Sequence, residues 1–351
     1  MIDTDVKLTA LLPVLRDAKW IALDTEADSL HAYPEKVCLI QISTTAGDEL
    51  VDPLAPINLV PLFEVFNAHE LIFHAADYDL RLLEKHHKFS PGAIFDTMLA
   101  ARLLGETQFG LSALVEKHLG VKLDKGSQKA DWAQRPLTER MEIYARNDTH
   151  HLKPLADKLK AELEAKGRLA WHQESCARLI VECSQPSTVD HDSVWRIKGS
   201  TILAPPALAI LRELWQWRET EAVAANRPPF FILNHERLVD IAAAAAAGQP
   251  VDPIIPPRMS PRRRDSLGRA IQTGLAVPAA QHPEIIRQKF NRLTDAEIRR
   301  FGNLEKIRNA NAQKLGLDPT LIASRATLGD LCRDWDQYSP ELMNWQRELL
   351  K

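Results

Sequence analysis

One stretch constrains this chain more than any other: Trp20-Ile21-Ala22-Leu23-Asp24-Thr25-Glu26-Ala27. Trp20 to Leu23 is a short apolar run and reads as a buried strand. Asp24 and Glu26 then arrive where the strand should continue into the core. Side chains two apart on a strand share a face, so both carboxylates project into one space. Two like charges at the end of a buried strand are costly unless something positive sits between them. A hard divalent cation such as magnesium or manganese takes oxygen ligands and is the natural compensation. A strand running out into a solvated acidic turn fits the same residues, so the pair alone leaves both readings open.

The surrounding pattern places this strand in an α/β domain. A helix is expected over 6–18, with Leu8, Leu11, Leu12 and Leu15 on one face. Strands at 20–26, 37–43 and 49–53 are joined by short turns and make an antiparallel meander. Helical pattern over 57–67 and from Tyr78 to His86 alternates with a strand at 71–74, and Phe95-Asp96-Thr97 opens a further helix. This mixture implies a sheet with helices packed on its faces. Asp77 has the look of the N-cap of the helix after His74, and Asp96 that of the next. Asp79 lies in the first helical turn, where it either complements the helix dipole or points over the strand ends toward Asp24 and Glu26.

A third acidic stretch runs from Glu142 to Leu152, with Ile143, Leu152 and Leu155 expected on its apolar side. Tyr144 and Asp148 are four apart and so lie one turn from each other. They fit a hydrogen-bonded core pair or part of a site. His150 and His151 have no partner at ligand spacing and read as surface residues or as supports behind a site.

Composition narrows the class. Residues 1–170 carry 20 Lys+Arg against 26 Asp+Glu, a net of −6, whereas 171–351 carry 24 against 21, a net of +3. The acidic part would repel a polyanion unless metal neutralised its site. Cysteines 38, 176, 183 and 332 form no metal-ligand spacing and read as reduced core thiols of a cytoplasmic protein. No apolar run is long enough to span a bilayer, and no leader is apparent, so a membrane protein is not expected.

The strand ending in Asp24-x-Glu26, the helical Asp79 and Tyr144-x-x-x-Asp148, in that order, resemble the three motifs of the DEDD superfamily of 3′→5′ exonucleases, tyrosine-bearing branch. The run from Leu119 to Lys125 leading into Asp131-Trp132-Ala133-Gln134-Arg135-Pro136-Leu137 is similar to the ribonuclease D family. Residues 207–280, with Asn226-Arg227-Pro228-Pro229-Phe230 and Met259-Ser260-Pro261-Arg262-Arg263, resemble the HRDC domain, and the last 60 or so look like a diverged second copy. The resemblance implies a ribonuclease H-like exonuclease domain (a mixed sheet flanked by helices) over 1–170, a connecting segment over 171–205, an HRDC domain over 206–282 and a second HRDC-like helical domain over 283–351.

The same resemblance implies a monomeric exoribonuclease that trims tRNA precursors and small structured RNAs from the 3′ end, releasing 5′-mononucleotides. Asp24, Glu26, Asp79 and Asp148 would hold two divalent cations, magnesium or manganese, which relieve charge on the attacking and leaving oxygens. An unperturbed phenol is protonated at neutral pH, so Tyr144 is expected to orient the attacking water rather than deprotonate it, with Glu26 an alternative acceptor of the proton. His74, Lys125, Trp132 and Arg135 are candidate contacts to backbone or base. Arg258, Arg262, Arg263, Arg264 and Arg269, set among prolines at a loop-to-helix junction, are candidates for phosphate. A DNA-directed repair exonuclease is the alternative. A non-catalytic RNA-binding adaptor would predict a missing carboxylate, and all four are present.

Overall fold

The computed structural model describes residues 1–124, 126–185, 190, 192–286 and 292–351. Contacts divide the chain into two compact units, Met1–Ala27 with Val37–Pro186 and Asn291–Lys351, and Asp28–Lys36 with Ser187–Phe290.

The first unit is built on a five-stranded mixed sheet. β1 (Ile21–Ala27), β2 (Val37–Thr44) and β3 (Gly47–Val51) form the expected antiparallel meander, and β4 (Glu70–Phe73) and β5 (Ala93–Asp96) run parallel to β1, in the order β3-β2-β1-β4-β5. β5 lies where only a helix opening was expected: its four residues end directly on the N-cap of the next helix. Around the sheet lie α1 (Asp5–Arg16), α2 (Val60–Asn67), α3 (Asp77–His87), α4 (Thr97–Leu104), α5 (Leu111–Leu119), α6 (Glu139–His150), α7 (Leu152–Ala165) and α8 (Leu169–Ser184).

Alternation along β1 and β2 sorts the two faces. Ile21, Leu23, Ile40 and Ile42 are buried with Leu8 and Leu11 of α1, Leu62 and Phe66 of α2, and Leu80 and Leu83 of α3. On the other face Leu39 packs with Leu50, Trp132 and the α6 residues Met141 and Ala145. Ala22 joins Ile72, Phe95, Leu152 and Leu155. The segment read as a connector contains α8, whose Cys176 and Cys183 enter the first of these cores and whose His172 lies 3.0 Å from the carbonyl of Asp96. All four cysteines are buried.

The second unit holds α9 (Pro205–Ala225), α10 (Pro229–Ile232), α11 (His235–Ala246) and α12 (Pro261–Leu275) around one apolar core that includes Leu211, Leu214, Leu238, Ile241 and Leu267. The chain then returns to the first unit with α13 (Asp295–Leu315), α14 (Pro319–Ile322), α15 (Arg325–Arg333), α16 (Trp335–Tyr338) and α17 (Asn344–Glu348).

α13–α15 repeat α9–α11 at a constant offset of ninety residues. A 21-residue helix ends on a left-handed residue, Asn226 or Gly316. A four-residue helix beginning with proline follows, then an extended Leu233 or Ala323 (φ −160°, −159°), then a side-chain N-cap, Asn234 or Ser324. Arg218 and Arg308 are both buried and both bond the next residue's side chain, Glu219 or Asn309. In the first unit, the C-terminal helices share a core with α4, α5 and α7. Arg168 ties them down by donating to the carbonyls of Leu103 (2.7 Å) and Leu315 (2.6 Å), at the C-terminal ends of α4 and α13. Among the described residues no helix is long and apolar enough to cross a membrane.

Candidate active site

β1 is paired to β4 only through Ile21↔Leu71 and Ala22↔Ile72. Beyond that point the edge of β1 is open, and Asp79 closes it. Asp79 Oδ1 accepts the backbone N–H of Thr25 at 3.0 Å and the Thr25 hydroxyl at 2.5 Å. The start of α3, which carries Asp79, is set by Asp96. Its carboxylate accepts the N–H groups of Ala76 (2.7 Å) and Ala75 (3.3 Å) while capping α4 through Met98 (2.7 Å) and Leu99 (3.0 Å). Asp77 is therefore not the N-cap expected of it. Ala76 holds that position with no side-chain cap, and Asp77 pairs in the open with Arg81.

α6 is anchored over β2 and β3. Thr149 accepts from Ser43 Oγ at 2.7 Å, Arg146 bonds the carbonyl of Asp48, and His150 Nδ1 lies 2.7 Å from Asp48 Oδ2. Its buried side is Met141, Ala145 and Thr149, whereas Ile143, expected inside, is 54% exposed. The helix ends at His150, and Leu152 and Leu155 belong to α7. Tyr144 and Asp148 flank the buried side and are hydrogen-bonded to each other.

This framework brings carboxylate oxygens of Asp24, Glu26 and Asp148 within 4.8 Å of one another, with Asp79 close enough for its charge to act on Asp24. Burial raises Asp24 well above the carboxylate range, and repulsion from Asp79, Asp148 and Glu26 adds to it. Burial, then Asp148 and Asp79, push Glu26 up to about 9. Asp79 and Asp148 rise to about 7 through burial, opposed by their bonds from Thr25 and Tyr144. Burial and the surrounding acids raise Tyr144 too, so it stays protonated. Four acids that resist ionising together, offering oxygen donors alone, are the donor set a hard divalent cation requires.

Asp24, Tyr144 and Asp148 open on a cavity of about 350 Å³ shared with His74, Ser112 and Gln128. α5 points its N-terminus into this cavity with no side-chain cap, leaving backbone donors there. His74 Nδ1 is 2.9 Å from Thr97 Oγ1, and burial lowers its pKa.

The other candidate contacts are placed differently. Lys125 lies outside the described residues. Trp132 is 1% exposed and packs against Tyr144 (ring centroids 5.9 Å), so it presents no face to a base. Arg135 grips Asp52 through two 2.6 Å bonds and donates to the carbonyls of Trp132 and Cys38, which makes it a brace for the loop. In the second unit Arg262 and Arg263 both bond Glu221, and Arg264 donates to the carbonyls of Pro256 and Met259. Sequence reasoning missed Thr25. Its one signal was its place between the two acids.

Comparison with known proteins agrees with this architecture. The 3′-5′ exonuclease family profile matches residues 1–164 and the HRDC domain profile residues 207–248. Ribonuclease D of Gluconacetobacter diazotrophicus is 31% identical over 99% of this chain and 89% of its own length. Ribonuclease D of Zymomonas mobilis is 38% identical over 69% of this chain and 63% of its own. The crystal structure of Escherichia coli RNase D, described as an exoribonuclease involved in structured RNA processing, superposes with a TM-score of 0.76 at 25% identity, covering 99% of this chain and 95% of that one. An acidic cluster at the open edge of β1, a matching HRDC module and relatives aligned nearly end to end place this chain in the ribonuclease D family of metal-dependent 3′→5′ exoribonucleases.

Proposed function

We propose that the protein shortens tRNA precursors and other small structured RNAs from the 3′ end, releasing 5′-mononucleotides, as a cytoplasmic monomer. The observation that carries the reading is the convergence of Asp24, Glu26 and Asp148, with Asp24, Asp148 and a protonated Tyr144 lining one cavity. Asp24, Glu26, Asp79 and Asp148 would hold two divalent ions, magnesium or manganese. When bound, these supply charge relief to the attacking and leaving oxygens.

The chain's own residues do the rest. Thr25 holds Asp79 in one orientation through two bonds to a single oxygen, leaving its other oxygen for the site. The Tyr144 hydroxyl stays protonated and donates to Asp148, so its phenolic oxygen is an acceptor that orients the attacking water. Glu26, once a bound cation holds it ionised, is the competing acceptor for that water's proton. The backbone donors at the start of α5 suit a phosphate of the 3′-terminal nucleotide.

In domain terms, residues 1–170 carry the nuclease site, 171–205 lead to an HRDC module over 206–282 with α8 packed into the nuclease core, and 283–351 are a second, diverged module whose helices complete that core. The ninety-residue repeat of helix lengths, caps and buried arginines supports the second module.

The test is cleavage of 3′-extended tRNA and sequence-matched single-stranded DNA, with chelator and then with magnesium or manganese, with Asp24→Asn alongside. Stepwise metal-dependent shortening of the RNA, lost in the variant, is the expected result. Equal activity on DNA would redirect the reading to repair, and RNA binding without cleavage under either metal would leave an adaptor.

A further inference from the structure

Gln41 sits in the middle of β2, directly opposite Asp24. Opposed residues of an antiparallel pair share a face, with Cβ atoms about 4.5–5.5 Å apart. The Gln41 side chain therefore lies on the face that carries Asp24 and Glu26, under α6. It has no exposed surface, and neither its Nε2 nor its Oε1 has a hydrogen-bond partner among the described residues. A buried primary amide left unbonded is costly, and the apolar strand around it would accept leucine without that cost.

The neighbours on this face narrow what the amide is for. Leu39 and Ser43 flank Gln41 along the strand. Leu39 is apolar, and the Ser43 hydroxyl is occupied by Asp48 (2.5 Å) and Thr149 (2.7 Å). α6 lays Ala145 and Thr149, both fully buried, on this side. The group across the pair that lacks a comparable side-chain donor and must carry charge to work is the Asp24 carboxylate.

We propose that Gln41 is a positioning residue for Asp24. Its amide turns an N–H to the carboxylate, directly or through one water, and holds that carboxylate aimed into the site when a divalent cation gathers the acids. This rests on the metal-dependent reading above and deepens it. Gln41 touches neither substrate nor reacting atoms. Residues behind a metal ligand of this kind are worth about 10–100-fold in metal affinity or activity.

The test uses the full chain with Gln41→Leu and Gln41→Met, which keep the volume and remove the amide. Chelator-treated protein is melted during titration with manganese, then with magnesium, and cleavage of a 3′-extended RNA is followed at matched metal concentrations. Without metal both variants should melt at or above the wild-type temperature, because an unbonded amide is gone. The metal concentration giving half of the melting shift should rise about 10–100-fold. At low metal kcat should fall with KM for RNA unchanged, and excess metal should restore much of it. A filler role predicts wild-type metal dependence in both variants, and that result overturns the proposal. A wild type whose melting does not respond to metal overturns the metal reading itself, and Gln41's role with it.

Discussion

Asp79 accepts two hydrogen bonds from one residue, Thr25, and that residue stands between the two acids of β1. The backbone N–H and the hydroxyl of Thr25 converge on a single Asp79 oxygen at 3.0 and 2.5 Å, so the register of β1 and the placement of α3 are fixed by the same contact. Thr25→Val keeps the strand and the shape but removes one of the two donors. It should lower kcat about tenfold with little change in KM, since the loss is orientation of a ligand rather than of substrate. Steady-state kinetics on a short RNA checks this, and an unchanged kcat would show that the backbone bond suffices.

Tyr144→Phe leaves the ring packed on Trp132 and removes the hydroxyl bonded to Asp148. Its kcat should drop about 10²-fold or more while KM stays within a few-fold, the signature of a group used in the transition state.

The acidic cluster should make the metal-free protein less stable as pH rises. Asp79 and Asp148, raised to about 7, and Glu26, raised to about 9, bind more protons folded than unfolded above pH of about 4. Their stabilisation is present below the unfolded pKa and is lost as pH climbs through the folded values. Melting temperatures in chelator from pH 5 to 9 should fall through this window, and Asp148→Asn should flatten the fall. A wild-type and variant pair with equal slopes would contradict the shift.

Arg168 is buried and joins the carbonyl ends of α4 and α13. Arg168→Met should cost about 2–4 kcal/mol, since two charge-assisted bonds go and two helix ends lose their donor. Urea unfolding of the full chain reads it.

The basic loop-to-helix junction of the second unit has two kinds of arginine. Arg262 and Arg263 share Glu221, whereas Arg258 and Arg269 are exposed. If this face meets RNA, replacing Arg258 and Arg269 together by Gln should reduce the salt slope of binding by about 1–1.5, at roughly 0.7 per phosphate contact on a single strand. Arg263→Gln should change it less, because Glu221 already neutralises that charge. Deleting residues 207–351 is a poor version of this experiment, since α13–α17 complete the first unit's core.

The acids and Tyr144 were legible because strand and helix periods fix which residues share a face whatever else the chain does. Capping was not. Asp77 and Asp96 look alike in sequence, and only the pairing of β5 with β4, which sets Asp96 opposite Phe73 and beside the turn into α3, lets Asp96 serve two helices and leave Asp77 in the open. Trp132 and Arg135 read as contacts because a loop's local pattern does not reveal whether it folds back. Here Asp52, eighty-three residues away, draws Arg135 inward. Ile143 was misplaced for a similar reason: the α6–α7 break after His150 shifts the buried side to Met141, Ala145 and Thr149.

The unit carrying the acids is made of sequence from both ends of the chain, with Leu350 buried in the same core as Ala22. A growing polypeptide emerges in order, and domains close as their last contacts become available. The core that Ala22 shares with Leu350 therefore cannot close until residue 350 has been synthesised, long after Asp148, the last of the acids, has left the ribosome's catalytic centre.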